Sequence, residues 1–556
     1  MDLPSASCCV DGGGSAGETR SIFPPPRHNN NNNALPRECF LAYGCIMLAS
    51  SAMNNLFVTY YLELFMDLVA VPSDWFYIGQ TIFMAWNAVN DPLFGFASDY
   101  GFSVRKIARA VASQFWCVPA GKEPPLSSPP KSAKRYRAVQ RKRLDIIMYG
   151  GIAWTVAFLY VWHPPVFGAV SPSNTQQALK VIHFVSSMCI YDSLLTLVEV
   201  NHSALLADLT TSSNERATLN MYSAVCAGVG SMSSFFGHMC WTSAKALPAR
   251  GDAPYSPLRS FQFCCIAVAI CSNICFLYGT STMRRLTMSG PSYGQMKISP
   301  TTSPSGASVP FGASENFSIW IFFKQMLGHK NFWIFQAFYL LQGFDCAFEK
   351  NLFSSFLGKL VGTAVSEEVL STIISLSFIL PWVGTLFITP TIKRVGLYRV
   401  MQRVLLSRSA LLAFSFCFAF ASRTSSPKFT CAFLLVNRVM SETVCRLCPL
   451  VLSDIVDEDF HLQKRTRPIS SSIVGASAFM GRISSSMAPM LGYWLLKDSE
   501  RTSMAWRTLF LLVVSVPAVC VLLQGALWNH YSLHGRYLNT VKKRLMRTLS
   551  GESSSV

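Results

Sequence analysis

The chain has 556 residues, of which 51% are hydrophobic and only 14% are charged. Soluble proteins carry about 25% charged residues, so this composition excludes an ordinary set of soluble domains. The formal net charge of +18 would suit a nucleic-acid partner, but the cations collect in loops on one side of a membrane pattern, which argues against that partner.

Apolar segments of about 20 residues recur along the whole chain, and this length crosses a hydrocarbon core of about 30 Å. A tail at 1–37 precedes them; it is rich in Gly, Pro and Asn, so we expect it to be disordered and cytoplasmic. The spans are placed at 41–62, 75–97, 145–163, 180–206, 221–241, 261–280, 331–350, 368–390, 402–421, 429–453, 470–496 and 508–529. The sequence therefore predicts an all-α membrane protein with twelve transmembrane helices.

Two polar connections interrupt the series of spans. A basic, Pro-rich insert at about 117–143 follows the second span, and we expect it to be disordered. The segment 281–327 is a flexible cytoplasmic linker that contains SGPSYGQ and SPTTSPSGAS. It separates an N-terminal six-helix half, 38–280, from a C-terminal six-helix half, 328–530, which a cytoplasmic tail at 531–556 follows.

The charges give the chain a direction in the membrane. With both termini inside, the inner segments hold 33 Lys and Arg residues and the outer loops hold 11, which is the bias expected of cytoplasmic loops. LLADLTTSSNER after the fourth span resembles LVLSDIVDED after the tenth, and these segments place Asp208 and Asp454 at the inner mouths of the halves. Together with the six-plus-six layout, this echo indicates parallel repeats, the arrangement of major facilitator transporters.

The second span ends in WNAVNDPLFGFASD, which is unusually polar for a membrane helix. Asn87 and Asp91 share one helix face, Asn90 lies beside them, and Pro92 frees a carbonyl one turn earlier. These oxygens suit a hard cation such as Na⁺, whereas a proton needs only the carboxylate. Alternatively, Asp91 forms a structural cap or pair near the inner end of the helix.

Charged residues also lie within other spans, where each costs about 2.5–3.5 kcal/mol and usually marks a pathway or an internal pair. Glu199 in the fourth span is a second buried carboxylate, which would share a cation or proton with Asp91 if the two face each other. Arg482 lies among small residues of the eleventh span. It either neutralises a carboxylate until the coupling ion arrives or forms a permanent structural pair.

The C-terminal half contains a further set of charges. Arg438, Glu442 and Arg446 follow one another at four-residue intervals in the tenth span, the spacing of a self-neutralising stripe, for which we favour a structural role. Asp345 and Glu349 share a face of the seventh span, where they either line the outer half of a cavity or cap the end of the span. Since neither a metal-ligand set nor a nucleophile triad is evident, we expect no enzymatic activity and no cofactor besides a coupling ion.

Two segments are similar to those of a known transporter family. WNAVNDPLFGFASD resembles W-D-A-x-N-D-P-x-x-G, the second-helix signature of the glycoside–pentoside–hexuronide:cation symporters, a major facilitator branch typified by melibiose permease. ALLADLTTSSNERATLNMYS resembles that family's fourth-to-fifth connection through Glu215, Arg216 and Tyr222. The resemblance covers about residues 40–530, and an animal group of the same superfamily is similar through N-D-P-L-F-G.

This resemblance implies cation coupling through carboxylates on the second and fourth helices and a cation on the eleventh. By position these are Asn87 and Asp91, then Glu199, then Arg482. The amide at Asn87 replaces a family carboxylate, which lowers the expected affinity for Na⁺ and favours H⁺, and Arg in place of Lys cannot deprotonate. The family's sugar-binding charges are absent: the first span offers only Ser and Asn, and the helix-five position falls near Ala224.

We therefore expect a multi-pass secondary transporter that works by alternating access. It would be an H⁺- or Na⁺-coupled symporter of a small organic solute, carbohydrate by family default, acting as a monomer in the plasma membrane without a nucleic-acid partner. Two alternatives remain open. The solute is a lysolipid or another amphipath, since the cavity is less charged than a sugar site, or the fold is degenerate and serves as a receptor or scaffold, as the amide at Asn87 and the long tails suggest.

Overall fold

A computed structural model describes the chain at residues 35–100, 132–165, 174–246, 256–289, 319–361, 365–421, 426–463, 465, 468–501 and 506–550. Within these ranges the regular structure is entirely helical. The disorder expected for the N-terminal tail, for the first part of the basic insert and for the centre of the linker concerns residues 1–34, 117–131 and 290–318, which lie outside the described residues.

The N-terminal half is built mainly from long helices. Its helices are α1 (Arg37–Glu63, continued by a π-helical turn at Leu64–Leu68), α2 (Ser73–Tyr100), α3 (Ser132–Val161), α4 (Asn174–Leu209), α5 (Ser213–Ser231), α6 (Ser233–Ala246) and α7 (Ser256–Ser289). Only Met232 separates α5 from α6, so the pair together covers the fifth predicted span.

The C-terminal half continues the series. Its helices are α8 (Ile319–Leu327), α9 (Lys330–Val361), α10 (Glu367–Val395), α11 (Leu397–Ala421), α12 (Pro427–Leu462), α13 (Ser470–Arg501), α14 (Trp506–His530) and α15 (Gly535–Ser550). Each predicted span falls on one long described helix or, for the fifth, on the α5–α6 pair. By length and apolarity alone, six described helices qualify as membrane spans, or seven if the bent α10 counts as one. Buried polar residues, such as Asp91, Asp345 and Arg438, interrupt the apolar runs of other helices.

The start of α3 corrects one prediction. The basic insert was expected to be disordered through residue 143, but α3 begins at Ser132, so the prediction is wrong for 132–143. Ala, Lys, Arg and Gln favour helix in this stretch. Residues 140–143 are also held by tertiary contacts, because Gln140 and Arg143 are buried and both donate hydrogen bonds to Asp208.

The two halves repeat one pattern of helix packing. In the N-terminal half α1 packs against α5 and α7, α3 packs against α4 and α7, and α2 packs against α4. In the C-terminal half α9 packs against α13 and α14, α11 packs against α12 and α14, and α10 packs against α12. Each pairing in one half has its counterpart in the other, which is the geometry of two parallel six-helix repeats.

The halves meet along two seams, α2 with α13 and α5 with α10. In the first seam the backbones touch: a Cβ on Gly95 would lie 2.4 Å from the carbonyl oxygen of Ser471, and one on Gly475 would lie 2.4 Å from the carbonyl oxygen of Asp91. Small residues permit such close helix contact in membranes. Because Arg482 follows Gly475 by two helical turns, this seam holds its side chain beside α2.

One end of the bundle, called the terminal end here, is where α1 begins and α14 ends. The amphipathic helix α15 lies at this end and packs against α12 and α3. Val541 and Leu545 form its buried side, and Lys542 is also buried although it is charged. The terminal end is therefore covered by a helix that follows the last span.

Candidate functional site

Arg482 of α13 contacts two carboxylates of the N-terminal half. Its Nε donates a hydrogen bond to Asp91 Oδ2 at 3.2 Å, and one Nη lies 3.9 Å from Asp192 Oδ1. Asp91 on α2 and Asp192 on α4 are only 1% and 4% exposed. The ion pairs therefore join the two halves inside the bundle.

Other oxygen-bearing side chains surround this pair. Glu199 of α4 accepts a hydrogen bond from Ser50 at 2.7 Å and interacts electrostatically with Arg482 and Asp91. Asn90 donates a hydrogen bond to Asp192. The Arg482 cluster consists of Asn90, Asp91, Asp192, Glu199 and Arg482.

Asn87, one turn before Asp91, has a buried side-chain oxygen that accepts no hydrogen bond within the described part of the chain. The Arg482 cluster itself holds three carboxylates and one guanidinium. When all are ionised, negative charges exceed positive ones by two. Uncompensated charge is costly within a membrane. The cluster therefore has a surplus of negative charge that a bound positive charge would reduce.

Sequence reasoning misses Asp192. A usable signal exists, since Asp192 interrupts the apolar run SSMCIYDSLLTLV in the middle of the fourth span. It also precedes Glu199 by seven residues, which places both on one face of α4.

A second buried group lies within the C-terminal half. Arg408 of α11 forms an ion pair with Asp345 and another, at 2.6 Å, with Glu349, both on α9. The Nε of Arg408 also donates to Asn437 at 2.9 Å. Because α9 continues to Val361, the alternative that Asp345 and Glu349 cap the end of the span is wrong.

The charged stripe of the tenth span lies beside this group on α12. Arg446 pairs with Glu442 at 3.4 Å, and its guanidinium carbon lies 3.3 Å from the ring centroid of Trp382 on α10. Arg438 lies over the ring of Phe353 on α9, at 5.0 Å from its centroid. Aromatic contacts thus tie the stripe to two neighbouring helices.

The C-terminal set of buried charges differs from the Arg482 cluster in its net charge. The C-terminal set contains equal numbers of carboxylates (Asp345, Glu349, Glu442) and guanidinium groups (Arg408, Arg438, Arg446). Arg408 lies within the predicted ninth span, 402–421, and its side chain is fully buried in mid-helix. The surplus of negative charge is therefore found at the Arg482 cluster rather than in the C-terminal set.

At the terminal end, a group of charged residues around Arg143, the Arg143 cluster, connects α2 and α4 to the start of α13. Arg143 of α3 pairs with Asp99 of α2 at 2.8 Å and with Asp208 of α4 at 2.5 Å. Asp99 accepts hydrogen bonds from the backbone N–H and the hydroxyl of Ser472, both at 2.7 Å, and Ser470 donates to Asp208 at 2.6 Å. The carboxylates thus cap the first turn of α13, where the helix dipole favours negative charge.

An Arg216 cluster joins the halves again on the side of α5 and α12. Arg216 of α5 donates two hydrogen bonds to Asp457 of α12, at 2.6 and 2.9 Å, and lies 3.4 Å from Asp454. Lys542 of α15 pairs with Asp454 at 2.7 Å and donates to Ser213 of α5 at 2.5 Å. Such bidentate contacts are among the strongest hydrogen-bonded pairs. Asp208 and Asp454, which echo each other in sequence, thus both contribute to closing the terminal end.

Within the described residues, no group of three or more His, Cys, Asp and Glu side chains has the arrangement of a metal site. The cysteines of the same residues are free, including Cys445 and Cys448 of the CxxC sequence.

Comparison with known proteins agrees with this architecture. The family model of the MFS/sugar transport proteins matches residues 140–535. Transmembrane protein 180 of Gallus gallus is 29% identical over 92% of this chain and 96% of its own length. Transmembrane protein 180 of Mus musculus is 30% identical over 90% of this chain and 94% of its own length.

Solved structures show the same fold at low identity. A bacterial homologue of the iron transporter ferroportin, in an outward-facing state, superposes with a TM-score of 0.55 at 12% identity and covers 90% of this chain and 100% of its own. The proton:xylose symporter XylE, bound to 6-bromo-6-deoxy-D-glucose, gives 0.53 at 12% identity and covers 91% of this chain and 98% of its own. These likenesses establish the major facilitator fold. Since the family model spans well over half of the sequence, the chain belongs to the MFS/sugar transport protein family.

Proposed function

We propose that this transporter couples the movement of a small organic solute to a monovalent cation, H⁺ or Na⁺, by alternating access. The observation that carries the proposal is the Arg482 cluster, in which carboxylates of α2 and α4 face one guanidinium of α13 across the seam. A pure scaffold has no need of surplus buried charge, which costs stability in a membrane. The arrangement is therefore better explained by an exchangeable cation than by a structural pair.

In the proposed mechanism, the cation and the guanidinium of Arg482 compete for the same carboxylates. In the empty transporter Arg482 bridges Asp91 and Asp192 and holds α13 against α2. A bound cation neutralises one carboxylate, weakens this bridge and frees the halves to reorient around the loaded solute. Coupling follows because each ligand changes the stability of the state that the other binds.

The residues favour H⁺ over Na⁺ as the coupling ion. Asn87 is neutral where the resembling family has a carboxylate, so fewer negative oxygens are available for Na⁺. Arg482 stays protonated, so a transported proton would reside on Asp91, Asp192 or Glu199. Asn87 and Asn90 would supply hydrogen bonds rather than charge.

Carbohydrate is the solute class that the family supports best. A sugar ring needs an aromatic surface as well as polar partners, and Trp86 and Trp382 are only partly buried. Trp86 lies next to Asn87 and donates to Ser193 at 2.9 Å. Trp154, in contrast, is fully buried and serves packing. The ring of Trp382 is already covered by the Arg446 guanidinium, so we propose Trp86 as the stacking surface, in a transporter that acts as a monomer.

The Lys and Arg distribution supports a cytoplasmic location of both termini, with the plasma membrane as the proposed site of action. The terminal end is then the cytoplasmic end. Its closure by the Arg143 and Arg216 clusters corresponds to an outward-facing state in this orientation.

Uptake by the purified full-length protein in proteoliposomes tests the proposal. Radiolabelled hexoses, pentoses and disaccharides are offered under an inward gradient of H⁺ or of Na⁺. Asp91→Asn and Asp192→Asn should each reduce gradient-driven uptake at least about tenfold, since removal of a buried hydrogen-bonded charge costs more than 1.4 kcal/mol. Counterflow without a gradient should persist.

Asp145→Asn is the matched control, because Asp145 forms a solvent-exposed pair with Arg284. Its uptake should equal that of the unaltered protein. Sugar uptake that does not depend on either gradient rules out coupling at this cluster. So does gradient-driven uptake that is the same in Asp91→Asn and in the unaltered protein. Saturable uptake of a fluorescent lysolipid in place of sugars would assign the solute to the amphipath class.

A further inference from the structure

Helix α15 connects the two halves at the terminal end. On the C-terminal half, Lys542 pairs with Asp454 at 2.7 Å, and the hydroxyl of Tyr537 donates a hydrogen bond to Glu458 at 2.9 Å. On the N-terminal half, Lys542 donates a hydrogen bond to Ser213 of α5 at 2.5 Å, and the helix also packs against α3. When the halves separate at this end, α15 must therefore detach from at least one of them.

The two sides of α15 differ in polarity. Val541 and Leu545 are buried against the bundle. Arg536, Lys543 and Arg547 are exposed and follow one stripe on the opposite side, since steps of seven and four residues return to the same helix face. The helix contains five Lys and Arg residues and no Asp or Glu. An apolar stripe opposed by a cationic one is typical of a helix that lies in the plane of a membrane interface.

The connection to α14 keeps the start of α15 near the membrane surface. Helix α14 covers the twelfth predicted span and ends at His530, and α15 begins at Gly535. The five residue steps between these two positions reach at most about 18 Å. Gly535 has a left-handed backbone, with φ of +56°, and no atom lies within 4 Å of a Cβ added there. This glycine therefore provides a hinge with open space around it, at which α15 can turn toward the lipid.

The membrane interface can replace what α15 loses when it detaches. In water, Val541 and Leu545 would be left exposed, whereas at the interface they insert between the headgroups and the acyl chains. Lys542 gives up the carboxylate of Asp454, and anionic headgroups take its place. The exposed cations of the helix add an attraction that only an anionic surface supplies, because each Lys or Arg near such a surface strengthens binding. A neutral lipid surface offers the apolar contact without this attraction.

We propose that α15 is an exchangeable strap that holds the terminal end closed while docked on α5 and α12, and that an anionic phospholipid surface binds its released form. Because the lipid binds only the released helix, it shifts the population toward the open terminal end. The inference rests on the proposed cytoplasmic placement of this end, since the cytoplasmic leaflet is the anionic one. It does not depend on the solute or on the coupling ion.

The test follows α15 in the full-length protein, reconstituted in nanodiscs of phosphatidylcholine with or without phosphatidylserine. A fluorescent unnatural amino acid replaces Met546, which is exposed on α15, and brominated acyl chains quench it when the helix reaches the lipid. The distance from this position to a second label at Asn214 of α5 is measured in the same nanodiscs. Phosphatidylserine should increase the quenching and lengthen the distance, and raised salt should reverse both effects. No transport is needed for this measurement, so failure of the proposed symport would leave its outcome unaffected.

Variants at exposed positions identify the cations that bind the lipid. The double variant Arg536→Gln and Lys543→Gln should lower the ratio of lipid-bound to docked α15 about 30-fold, which is about fivefold for each cation lost. The double variant Lys393→Gln and Arg394→Gln is the matched control, because it removes two exposed cations at the end of α10 and should leave the quenching unchanged.

Three results would overturn the proposal. The first is equal quenching with and without phosphatidylserine, and the second is quenching that the double variant of Arg536 and Lys543 leaves unchanged. The third is quenching by phosphatidylserine with no change in the distance to Asn214, since the lipid would then bind the docked helix. Release caused by calmodulin as a representative acidic protein, without any effect of phosphatidylserine, would assign the cationic side of α15 to a protein partner instead of lipid.

Discussion

At the scale of single residues, the interior is organised by which buried charges have a partner. Arg408 is fully buried and serves two carboxylates at once, Asp345 and Glu349. Arg482 also bridges two carboxylates, Asp91 and Asp192, but its side chain is 34% exposed and its second contact is longer, at 3.9 Å. The ion pairs of Arg408 are therefore suited to a permanent structural role. Those of Arg482 are suited to being broken and replaced by another cation.

This contrast predicts that Arg408 is structural. Arg408→Leu leaves Asp345 and Glu349 buried without their cation, so it should lower the free energy of unfolding by about 3–5 kcal/mol. Arg403→Leu, at an exposed position of the same helix, should change it by less than about 0.5 kcal/mol. Denaturant unfolding of both variants in detergent is the measurement. A stable Arg408→Leu protein with altered ion dependence would instead place the coupling site in the C-terminal half.

Sequence reasoning reaches part of this arrangement. Asp91, Glu199 and Arg482 stand out because a charge in an apolar span is costly wherever it points. Asp192 and Arg408 obey the same rule, yet a single sequence does not reveal which helices will meet. The contact between Asp192 and Arg482 joins residues 290 positions apart, and only the packing of α4 against α13 brings them together.

At the scale of elements, hydropathy locates the helices but not their ends. Helix α9 runs to Val361 although its predicted span ends at residue 350, and α12 runs to Leu462 although its span ends at 453. Hydropathy detects the hydrocarbon core alone. Beyond it, polar residues continue the helices because they pair with each other, as Asp457 of α12 does with Arg216 of α5.

The seam between α2 and α13 yields an element-scale prediction. A Cβ on Gly475 would lie 2.4 Å from the Asp91 carbonyl oxygen, so Gly475→Ala must push the helices apart. We expect a loss of about 1–3 kcal/mol in the free energy of unfolding, typical of overpacking, and reduced coupling because Arg482 moves away from Asp91. Thermal unfolding and gradient-driven uptake measure the two effects.

Gly525→Ala in α14 is the matched control for this seam. No neighbouring atom lies within 4 Å of a Cβ added there, and Ala favours helix over Gly by about 1 kcal/mol. The thermal unfolding midpoint of Gly525→Ala should therefore stay the same or rise. If Gly475→Ala behaves like Gly525→Ala, the α2–α13 backbones are not in contact in the membrane.

At the scale of the whole molecule, two equivalent contacts between the halves close the terminal end. The end of α4 meets the start of α13 through Asp208 and Ser470, and the end of α12 meets the start of α5 through Asp457 and Arg216. In the repeat, α4 corresponds to α12 and α5 to α13, so one contact is the counterpart of the other. The twofold echo of LLADL and LVLSD in the sequence thus reflects a duplicated closure, which a rocking transporter must break on both sides.

Neutralising one carboxylate in each closure should therefore open this end. Asp99→Asn and Asp457→Asn leave Arg143 and Arg216 undercompensated while the end is closed, whereas opening exposes both to water. If each substitution costs the closed state about 1–3 kcal/mol, the pair can raise a rare open state to a large fraction of the population. Distances between spin labels, attached through unnatural amino acids at Arg141 and Arg394, should lengthen in the double variant. Glu38→Gln, which removes a solvent-exposed pair with Arg285, is the control and should leave the distances unchanged. If the distance distribution of the double variant is also unaltered, the apolar seams alone hold the halves together.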